Sequence, residues 1–346
     1  MEIVFRVDSS AQIGSGHLMR CLTLAGQLNK QYQEVDIYFI ARDLSGNLNK
    51  LVAQYGYNLL QLPQMAVTDV LSGYECWLTV KKETDALQTI EKLQSLSTVD
   101  LLIEDSYALD IVWEKIVRPY VKQIMVIDDL ANRQHDCDIL LDQNYYSDMQ
   151  NRYQGLVPDT CQLRLGPKYA LLREEFYEAR KHLRQRDGSI QNIFVFFGGS
   201  DLTNETMKAL QAIDMLQQPD IEVNVVVGGS NEHKDEVSDF CAQRNNMRCY
   251  CQVNNIAELM NAADLAIGAG GTTTWERCIL ELPSIVISIA DNQVKLAEDC
   301  AKEKIIRYLG TSMQVKTLDV FQAVEYYLHE VHFKMFIKNV VSSKIC

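Results

Sequence analysis

The stretch of chain that decides the fold is LAIGAGGTTTWERCIL, residues 265–280. Its first part, Leu265–Ile267, is a short apolar run that predicts a buried strand, and its last part, Thr272–Leu280, has the spacing of an amphipathic helix. Three glycines separate the two patterns, and three threonines open the helix. A strand followed by a glycine turn and a helix is the repeating unit of a parallel α/β sheet.

The same alternation extends in both directions from this stretch. One series begins with the strand candidate Ile3–Val7 and the helix candidate Leu18–Leu28, and it continues to the strand candidate Ile139–Leu141. A second series begins at the strand candidate Asn192–Phe197. Repeated βα units of this kind predict the α/β class, with mostly parallel sheets covered by helices.

The boundary between the two series lies where the rhythm is broken, in the polar turns and charged stretch of residues 145–188. We therefore predict two α/β domains of similar size, at 1–155 and 156–346, the second ending in the largely helical segment Val315–Ser342. Ligands bind such sheets beyond the carboxyl ends of their strands, so we expect the two sheets to face a ligand cleft.

Composition limits the class of protein and its partners. Of the 346 residues, 47% are hydrophobic and 23% charged, which is ordinary for a folded protein. The formal net charge of −13 opposes binding to nucleic acid and anionic membranes. The sequence has no apolar run of membrane-spanning length, no secretory signal and no zinc-type spacing among its ten cysteines. We predict a cytoplasmic protein with reduced thiols, and we expect it to be a monomer.

The loop after the first strand candidate, DSSAQIGSGH from Asp8 to His17, places a histidine at the start of a helix. Gly14 and Gly16 permit tight turns and close approach of a ligand to the backbone. The loop has neither the dinucleotide fingerprint nor the lysine of a P-loop. Since a helix N-terminus disfavours the imidazolium form, we expect His17 to be neutral and able to accept a proton. The alternative is a histidine that only caps or packs at the helix start.

Two loops of the second series are suited to an anion. Gly199 and Ser200 follow a strand candidate and precede a helix, an arrangement that presents free N–H groups. An ordinary turn with Asp201 or Thr203 as the helix N-cap is the alternative there. The stronger candidate is the loop of the opening stretch, which could bracket a diphosphate with the N–H groups and hydroxyls of Gly270, Gly271, Thr272 and Thr273.

Three polar side chains near these loops are candidate sugar ligands. Glu276, one turn into its helix, could accept both hydroxyls of a ribose, although an acid in a first helical turn is also favoured by the helix dipole alone. Asn292 and Gln293 follow another strand candidate and could hydrogen-bond sugar hydroxyls or amides.

Asp105 and Tyr107 follow a strand of the first series and are expected on the same rim as His17. Two other acidic pairs are discounted: Asp136 and Asp138 are isolated from further ligands, and Asp128-Asp129 is assigned to helix-cap or turn contacts. The remaining histidines show no ligand spacing and are taken as surface or structural. We therefore predict no metal site.

An ordered set of motifs spans residues 1 to about 300 and is similar to the UDP-sugar hydrolases of pseudaminic acid biosynthesis. The motifs are Phe5–Ser10 with Ile13–His17 and Arg20–Leu22, Asp105–Tyr107 with Trp113-Glu114, Ile127–Ala131, Asp142–Asn144, Gly166–Arg173, Gly198–Asp201, Gly268–Arg277 and Ala290–Gln293. Each alone is weak, whereas their conserved order along one chain is specific.

The resemblance implies two Rossmann-like domains of GT-B type, like those of MurG, with the nucleotide in the second domain. It implies a bacterial enzyme of surface-glycan biosynthesis that removes UDP from UDP-2,4-diacetamido-2,4,6-trideoxy-β-L-altropyranose without cofactor or metal. The family's catalytic histidine corresponds to His17 and its motif tyrosine to Tyr107. Substrate binding is assigned to Gly14, Gly16, Arg20, Asp105, Gly199, Ser200, Gly270, Gly271, Thr272, Thr273, Glu276, Asn292 and Gln293.

The implied reaction is inverting attack of water at the anomeric carbon, with His17 as general base and UDP leaving into the glycine loops. Tyr107 is expected to hydrogen-bond the sugar or to position the water. Two alternatives remain: a MurG-like glycosyltransferase, and a non-catalytic protein that binds nucleotide sugars.

Overall fold

A computed structural model describes residues 1–65 and 71–329 of the chain. These residues form two compact units. The first consists of Met1–Gln143 and Asp148–Leu171, and the second of Asn144–Ser147 and the chain from Leu172 onward. The predicted boundary after residue 155 lies inside the last part of the first unit. The segment that interrupts the sequence pattern is thus divided between both units.

The first unit is built on a parallel sheet. Its strands are β1 (Glu2–Val7), β2 (Asp36–Arg42), β3 (Asn58–Leu62), β4 (Val99–Asp105), β5 (Val121–Ile127), β6 (Ile139–Asp142) and β7 (Gln162–Leu165). Within the described residues the sheet has seven strands, in the order β3-β2-β1-β4-β5-β6-β7, and all neighbours are parallel. The central strands are apolar on both faces because helices cover both.

The helices of the first unit are α1 (Gly16–Gln31), α2 (Lys50–Gln54), α3 (Lys82–Leu93) and α4 (Ile111–Val117), with 3-10 turns at Gly73–Leu78, Arg118–Tyr120 and Pro167–Tyr169. Helix α1 packs its buried stripe, which includes Leu18 and Leu22, against the face of β1 that carries Phe5. Helices α3 and α4 cover the opposite face, where Trp113 is fully buried with Val4. This packing fixes α1 behind the end of β1.

The second unit repeats the architecture. Its strands are β8 (Asn192–Phe196), β9 (Glu222–Val227), β10 (Met247–Cys251), β11 (Leu265–Ala269), β12 (Ser284–Ser288) and β13 (Arg307–Thr311). In the described part of the chain these six strands form one parallel sheet in the order β10-β9-β8-β11-β12-β13. The helices are α5 (Glu174–Lys181), α6 (Glu205–Met215), α7 (Lys234–Ala242), α8 (Ile256–Ala262), α9 (Thr272–Ile279), α10 (Val294–Lys302) and α11 (Thr317–His329), with a 3-10 turn at Asp291–Gln293.

Each sheet reverses its strand order next to its first strand. In the first unit β1 lies between β2 and β4, and in the second unit β8 lies between β9 and β11. At such a switch point the two adjacent loops leave in opposite directions, and a crevice opens beyond the carboxyl ends of the strands. Most of the predicted site residues lie in the loops after β1, β4, β8 and β11 or at the adjoining ends of the strands and helices.

The structure confirms the predicted α/β class with two Rossmann-like domains. Two edge strands, β7 and β13, were not predicted. They are short and polar, and the pairing of β13 with β12 shifts register between Val286 and Ile287, so neither gives a continuous apolar run. The predicted C-terminal helical segment is present as α11, and its part beyond residue 329 lies outside the described residues. In the described part of the chain, no helix is long and apolar enough to cross a membrane.

Candidate active site

His17 lies in the first turn of α1, after the loop that follows β1. Gly14 adopts a φ of +80°, its N–H donates to the Ser10 carbonyl, and the Ile13 N–H donates to Ser10 Oγ. This turn brings the chain into α1 at Gly16. A Cβ added at Gly14 or Gly16 would meet no atom within 4 Å, so the space beside both glycines is open among the described residues.

The imidazole of His17 is held by the carboxylate at the end of β4. Asp105 Oδ1 lies 2.6 Å from His17 Nδ1, and the adjacent strands place Val7 opposite Asp105 in the sheet. Arg20, one turn further along α1, donates to both Asp105 oxygens at 2.6 Å. An ionised carboxylate can only accept, so the contact with Asp105 favours the neutral tautomer that carries its proton on Nδ1 and its lone pair on Nε2. Among the described residues no hydrogen bond is made by His17 Nε2.

Burial and neighbouring charges act in opposite directions on the pKa values of Asp105 and Arg20. Burial by itself raises the pKa of the Asp105 carboxyl, but the Arg20 guanidinium and His17 outweigh it and hold that pKa well below its usual range. Burial likewise opposes the charge of Arg20, whereas Asp105 and Asp129 raise the pKa of Arg20. Asp105 is therefore ionised at neutral pH and is a permanent acceptor for the histidine.

Tyr107 and Asp129 complete this network. The Tyr107 hydroxyl donates to Asp129 Oδ1 at 2.6 Å, and Arg20 Nη1 donates to Asp129 Oδ2 at 3.0 Å. Sequence reasoning assigned the Asp128-Asp129 pair to cap or turn contacts, which fits only Asp128: it accepts the N–H groups of Leu130 and Ala131. Asp129 instead orients Tyr107 and Arg20. Its position two residues beyond the end of β5 was the signal for it.

Two aromatic residues that the sequence did not single out, Trp77 and Tyr74, join the predicted Tyr107 in an aromatic cluster at His17. Trp77 contacts the imidazole with ring centroids 5.8 Å apart, and Tyr107 contacts it at 4.6 Å. Tyr74 contacts both Trp77 and Tyr107. The histidine is therefore bounded by charged groups on one side and by aromatic rings on another.

The loop after β8 is shaped by a glycine and a side-chain cap. Gly198 has a φ of +89°, and Asp201 accepts the N–H groups of Glu205 and Thr206 at 2.9 Å. The N-cap position of α6 is Asn204, and neither Asp201 nor Thr203 occupies it. Asp201 nevertheless satisfies the first two N–H groups of the helix from three residues further back. The Gly199 carbonyl accepts a hydrogen bond from Ser230, which ties this loop to the one after β9.

The loop after β11 presents the N-terminus of α9 with a buried cation behind it. Gly271 adopts a φ of +90° immediately before Thr272 opens the helix. Arg277, almost completely buried, donates to the Ala269 carbonyl and to the hydroxyls of Thr273 and Thr274. None of these acceptors is charged. Burial lowers the pKa of Arg277 to about 10, so the guanidinium stays charged at neutral pH and makes the loop more favourable to an anion.

The remaining predicted ligands of the second unit have protein partners. Glu276 Oε1 accepts a hydrogen bond from Arg173 Nη2 at 3.0 Å, a contact that sequence reasoning missed. Gln293 Oε1 accepts the Ile289 N–H at 3.1 Å and so closes the turn after β12. Asn292 lies within the 3-10 turn of that loop. Arg173 therefore fixes the orientation of Glu276, and Gln293 contributes to the shape of its own loop.

Side chains of the types that bind metal ions lie close together around Glu104, the residue before Asp105 in β4. The discounted pair Asp136 and Asp138 is bridged by Arg118. Within residues 1–65 and 71–329, the group with metal-ligand potential is Glu104, Glu114 and His135, whose ligand atoms lie within 4.8 Å of one another. His135 is buried and pairs with Glu114. Of the two roles predicted for the remaining histidines, surface or structural, this contact favours the structural one.

Glu104 offers a direct test of how this cluster is charged. Burial, followed by repulsion from Glu114, raises the pKa of the Glu104 carboxyl well above its usual range. An acid whose folded pKa is raised loses stability as pH rises above its unfolded value of about 4.3, because the folded state must release a proton that it holds tightly. We expect Glu104→Gln to match the wild type in chemical unfolding near pH 5 and to exceed it at pH 8–9.

The control for this variant is Glu91→Gln on the exposed side of α3, which should leave the pH dependence of unfolding unchanged. A wild-type protein that gains stability with added Zn²⁺, together with a Glu104→Gln variant that does not, would instead identify the cluster as a cation site.

Comparison with known proteins identifies the family of the chain. Residues 192–325 match the glycosyltransferase family 28 C-terminal domain. A Campylobacter jejuni protein named UDP-2,4-diacetamido-2,4,6-trideoxy-β-L-altropyranose hydrolase is 31% identical over 303 residues, which cover 88% of this chain and 97% of the relative. The spore coat polysaccharide biosynthesis protein SpsG of Bacillus subtilis is 30% identical over 168 residues, 48% of each chain.

Among solved structures, MurG of Acinetobacter baumannii aligns with a TM-score of 0.61 and 14% identity, over 99% of this chain and 95% of that protein. The two parallel α/β units of this chain and the family 28 match define a protein of GT-B type. More narrowly, the chain belongs to the family of UDP-2,4-diacetamido-2,4,6-trideoxy-β-L-altropyranose hydrolases. Its general role is in sugar and glycan biosynthesis.

Proposed function

We propose that this protein hydrolyses UDP-2,4-diacetamido-2,4,6-trideoxy-β-L-altropyranose to UDP and 2,4-diacetamido-2,4,6-trideoxy-L-altrose. The observation that carries the proposal is the His17–Asp105 pair at the switch point of the first unit, in a chain of this family. A histidine whose Nδ1 is bound by a carboxylate is suited to accept a proton at Nε2.

In the proposed reaction His17 acts as the general base. Water attacks the anomeric carbon as the bond from that carbon to the UDP oxygen breaks, and the proton of the water passes to His17 Nε2. Asp105 holds the ring in the required tautomer and stabilises the imidazolium that forms, the role that a carboxylate plays in other base-assisted sites. Tyr107, bound through its hydroxyl to Asp129, positions the ring edge of His17 in this proposal.

UDP is proposed to leave as an anion into the loops of the second unit. The N–H groups of Gly271 and Thr272 open α9, and the positive end of the helix dipole favours the developing phosphate charge there. Arg277 adds a fixed charge behind the same loop. Glu276, oriented by Arg173, is proposed to accept the ribose hydroxyls through its second oxygen.

A glycosyltransferase is the second candidate, because residues 192–325 match a glycosyltransferase domain. A transferase would pass the same sugar to an acceptor hydroxyl in place of water. A protein that only binds the nucleotide sugar would form no product.

The deciding experiment is incubation of the protein with the UDP-sugar alone, in H₂¹⁸O, with and without excess EDTA. We expect equimolar UDP and free sugar, with the α-anomer appearing first in the NMR spectrum and no ¹⁸O in the UDP. EDTA should leave the rate unchanged. Turnover only after an acceptor is added would favour the transferase, ¹⁸O in UDP would place the attack at phosphorus, and no turnover would favour the binding protein.

A further inference from the structure

The 3-10 turn Gly73–Leu78 carries two aromatic side chains that are not used by the proposed reaction. Trp77 lies 5.5 Å from Tyr107 and 5.8 Å from His17, and Tyr74 lies 4.8 Å from Trp77, all between ring centroids. We refer to Tyr74 and Trp77 as the aromatic wall. It lies next to the proposed base, where the sugar of the substrate must react.

The local fold explains why both rings lie on one side. A 3-10 helix has three residues per turn, so side chains at positions i and i+3 are in line, which is the relation of Tyr74 to Trp77. The turn is anchored at its end by Leu78, which is fully buried in the core of the unit. Glu75 accepts the Lys82 N–H and so ties the turn to the start of α3. The wall is therefore built into the scaffold.

The wall exposes part of its aromatic surface to solvent. Tyr74 is 37% exposed, and Trp77 is partly exposed, whereas Tyr107 behind them is only 7% exposed. The indole N–H of Trp77 makes no hydrogen bond within the described residues, and it is not sealed in the interior. The wall thus offers aromatic surface together with one hydrogen-bond donor.

We propose that Trp77, with Tyr74, is the specificity-determining surface for the sugar and selects methyl-bearing acetamido and 6-deoxy hexoses over polyhydroxylated ones. This inference rests on the proposed function. The sugar named for the Campylobacter jejuni relative carries two acetamido groups and a C6 methyl, which leaves one free ring hydroxyl apart from the anomeric position. Aromatic rings bind methyl groups by dispersion and burial of apolar area, and a tryptophan N–H can donate to an acetamido carbonyl.

The polar side of the same site supports this division of roles. Arg20 donates to both Asp105 and Asp129, Asp105 also pairs with His17, and Asp129 also accepts from Tyr107. The hydrogen-bonding capacity of these polar groups is therefore largely used within the protein. In a sugar rich in hydroxyls, the hydroxyls that face the aromatic rings would have no hydrogen-bond partner, and burying an unpaired hydroxyl is costly. Methyl groups carry no such cost.

The test compares Trp77→Ala and Trp77→Phe with Tyr120→Ala, an exposed aromatic on another 3-10 turn of the same unit. For the UDP-diacetamido sugar we expect Trp77→Ala to raise KM by about 10–100-fold. Trp77→Phe should give a smaller rise because it keeps the apolar surface and loses the donor. The inhibition constant of UDP should stay within twofold, and Tyr120→Ala should behave as the wild type.

Calorimetric binding separates this inference from the proposed function. Wild-type protein should bind the UDP-diacetamido sugar more tightly than UDP-glucose, and Trp77→Ala should remove most of that difference even if the protein turned out not to hydrolyse either. An unchanged preference in Trp77→Ala, or an equal loss of affinity for UDP itself, contradicts the proposal. If Trp77→Ala does not fold, Tyr74→Ala, at the more exposed position, should show the same loss of preference. A Tyr74→Ala variant that keeps the preference for the UDP-diacetamido sugar would contradict the proposal equally.

Discussion

Replacement of His17 by alanine is expected to lower turnover of the UDP-sugar by about 10²–10⁴-fold, the range for loss of a general base. The affinity for UDP should change by no more than a few-fold, because His17 belongs to the first unit and the loops proposed to bind UDP belong to the second. Steady-state kinetics measures the first effect, and titration calorimetry with UDP measures the second.

The control for this variant is His182→Ala, an exposed histidine at the end of α5, which should retain full activity. Added imidazole should restore part of the activity of His17→Ala, since it can enter the space left by the ring and accept the proton of the water. A variant that loses UDP affinity and turnover to the same degree, and that imidazole does not rescue, would show that His17 serves binding or structure.

The rim of the first sheet could be predicted because parallel strands give it a simple geometry. His17 and Asp105 are 88 residues apart in sequence, yet each follows the carboxyl end of a strand. Once the alternation of strands and helices indicated a parallel sheet, both were expected on one edge. Their direct contact was not predictable, since it depends on β1 and β4 being neighbours, which the strand order alone decides.

The aromatic wall could not be predicted by the same argument. Trp77 and Tyr74 belong to a 3-10 turn outside the strand pattern. The turn is held by the packing of Leu78 in the core and by the hydrogen bond of Glu75 to the Lys82 N–H, and both contacts depend on the tertiary structure. Aromatic residues three positions apart are most often part of a core, so their spacing in sequence carries little information about a site.

The second unit shows the opposite limit, where a pattern indicates the right loop and leaves individual roles open. Glycines and threonines after β8 and β11 identify helix N-termini, whose backbone donors depend little on side-chain identity. Polar side chains in the same loops have several uses. Asp201 accepts the first two N–H groups of α6, and Gln293 closes a turn. The sequence left the role of Asp201 open and gave no sign of the contact that Gln293 makes. Among the described residues Arg277 donates only to neutral oxygens, which likewise depends on the folded structure and not on the sequence pattern.

Asp105 is the residue whose removal should affect both activity and stability. In Asp105→Ala, Arg20 keeps a nearly buried guanidinium without its main counter-charge, and breaking a buried pair in this way costs about 3–5 kcal/mol of unfolding free energy. Asp105→Asn keeps the shape but removes the charge that selects the His17 tautomer, so we expect kcat to fall by about 10²–10⁴-fold with a smaller loss of stability. Urea unfolding and steady-state kinetics measure these effects.

The pH dependence of unfolding separates the charge of Asp105 from its shape. An acid whose folded pKa is lowered binds fewer protons in the folded state, so its stabilisation is complete above the unfolded pKa of about 4 and is lost as pH falls below it. The stability difference between wild type and Asp105→Asn should therefore be constant from pH 5 to 8 and should shrink below pH 4. A difference that stays the same down to pH 2 would mean that the carboxylate charge does not stabilise the fold, and Asp105 would then act on His17 through hydrogen-bond geometry alone.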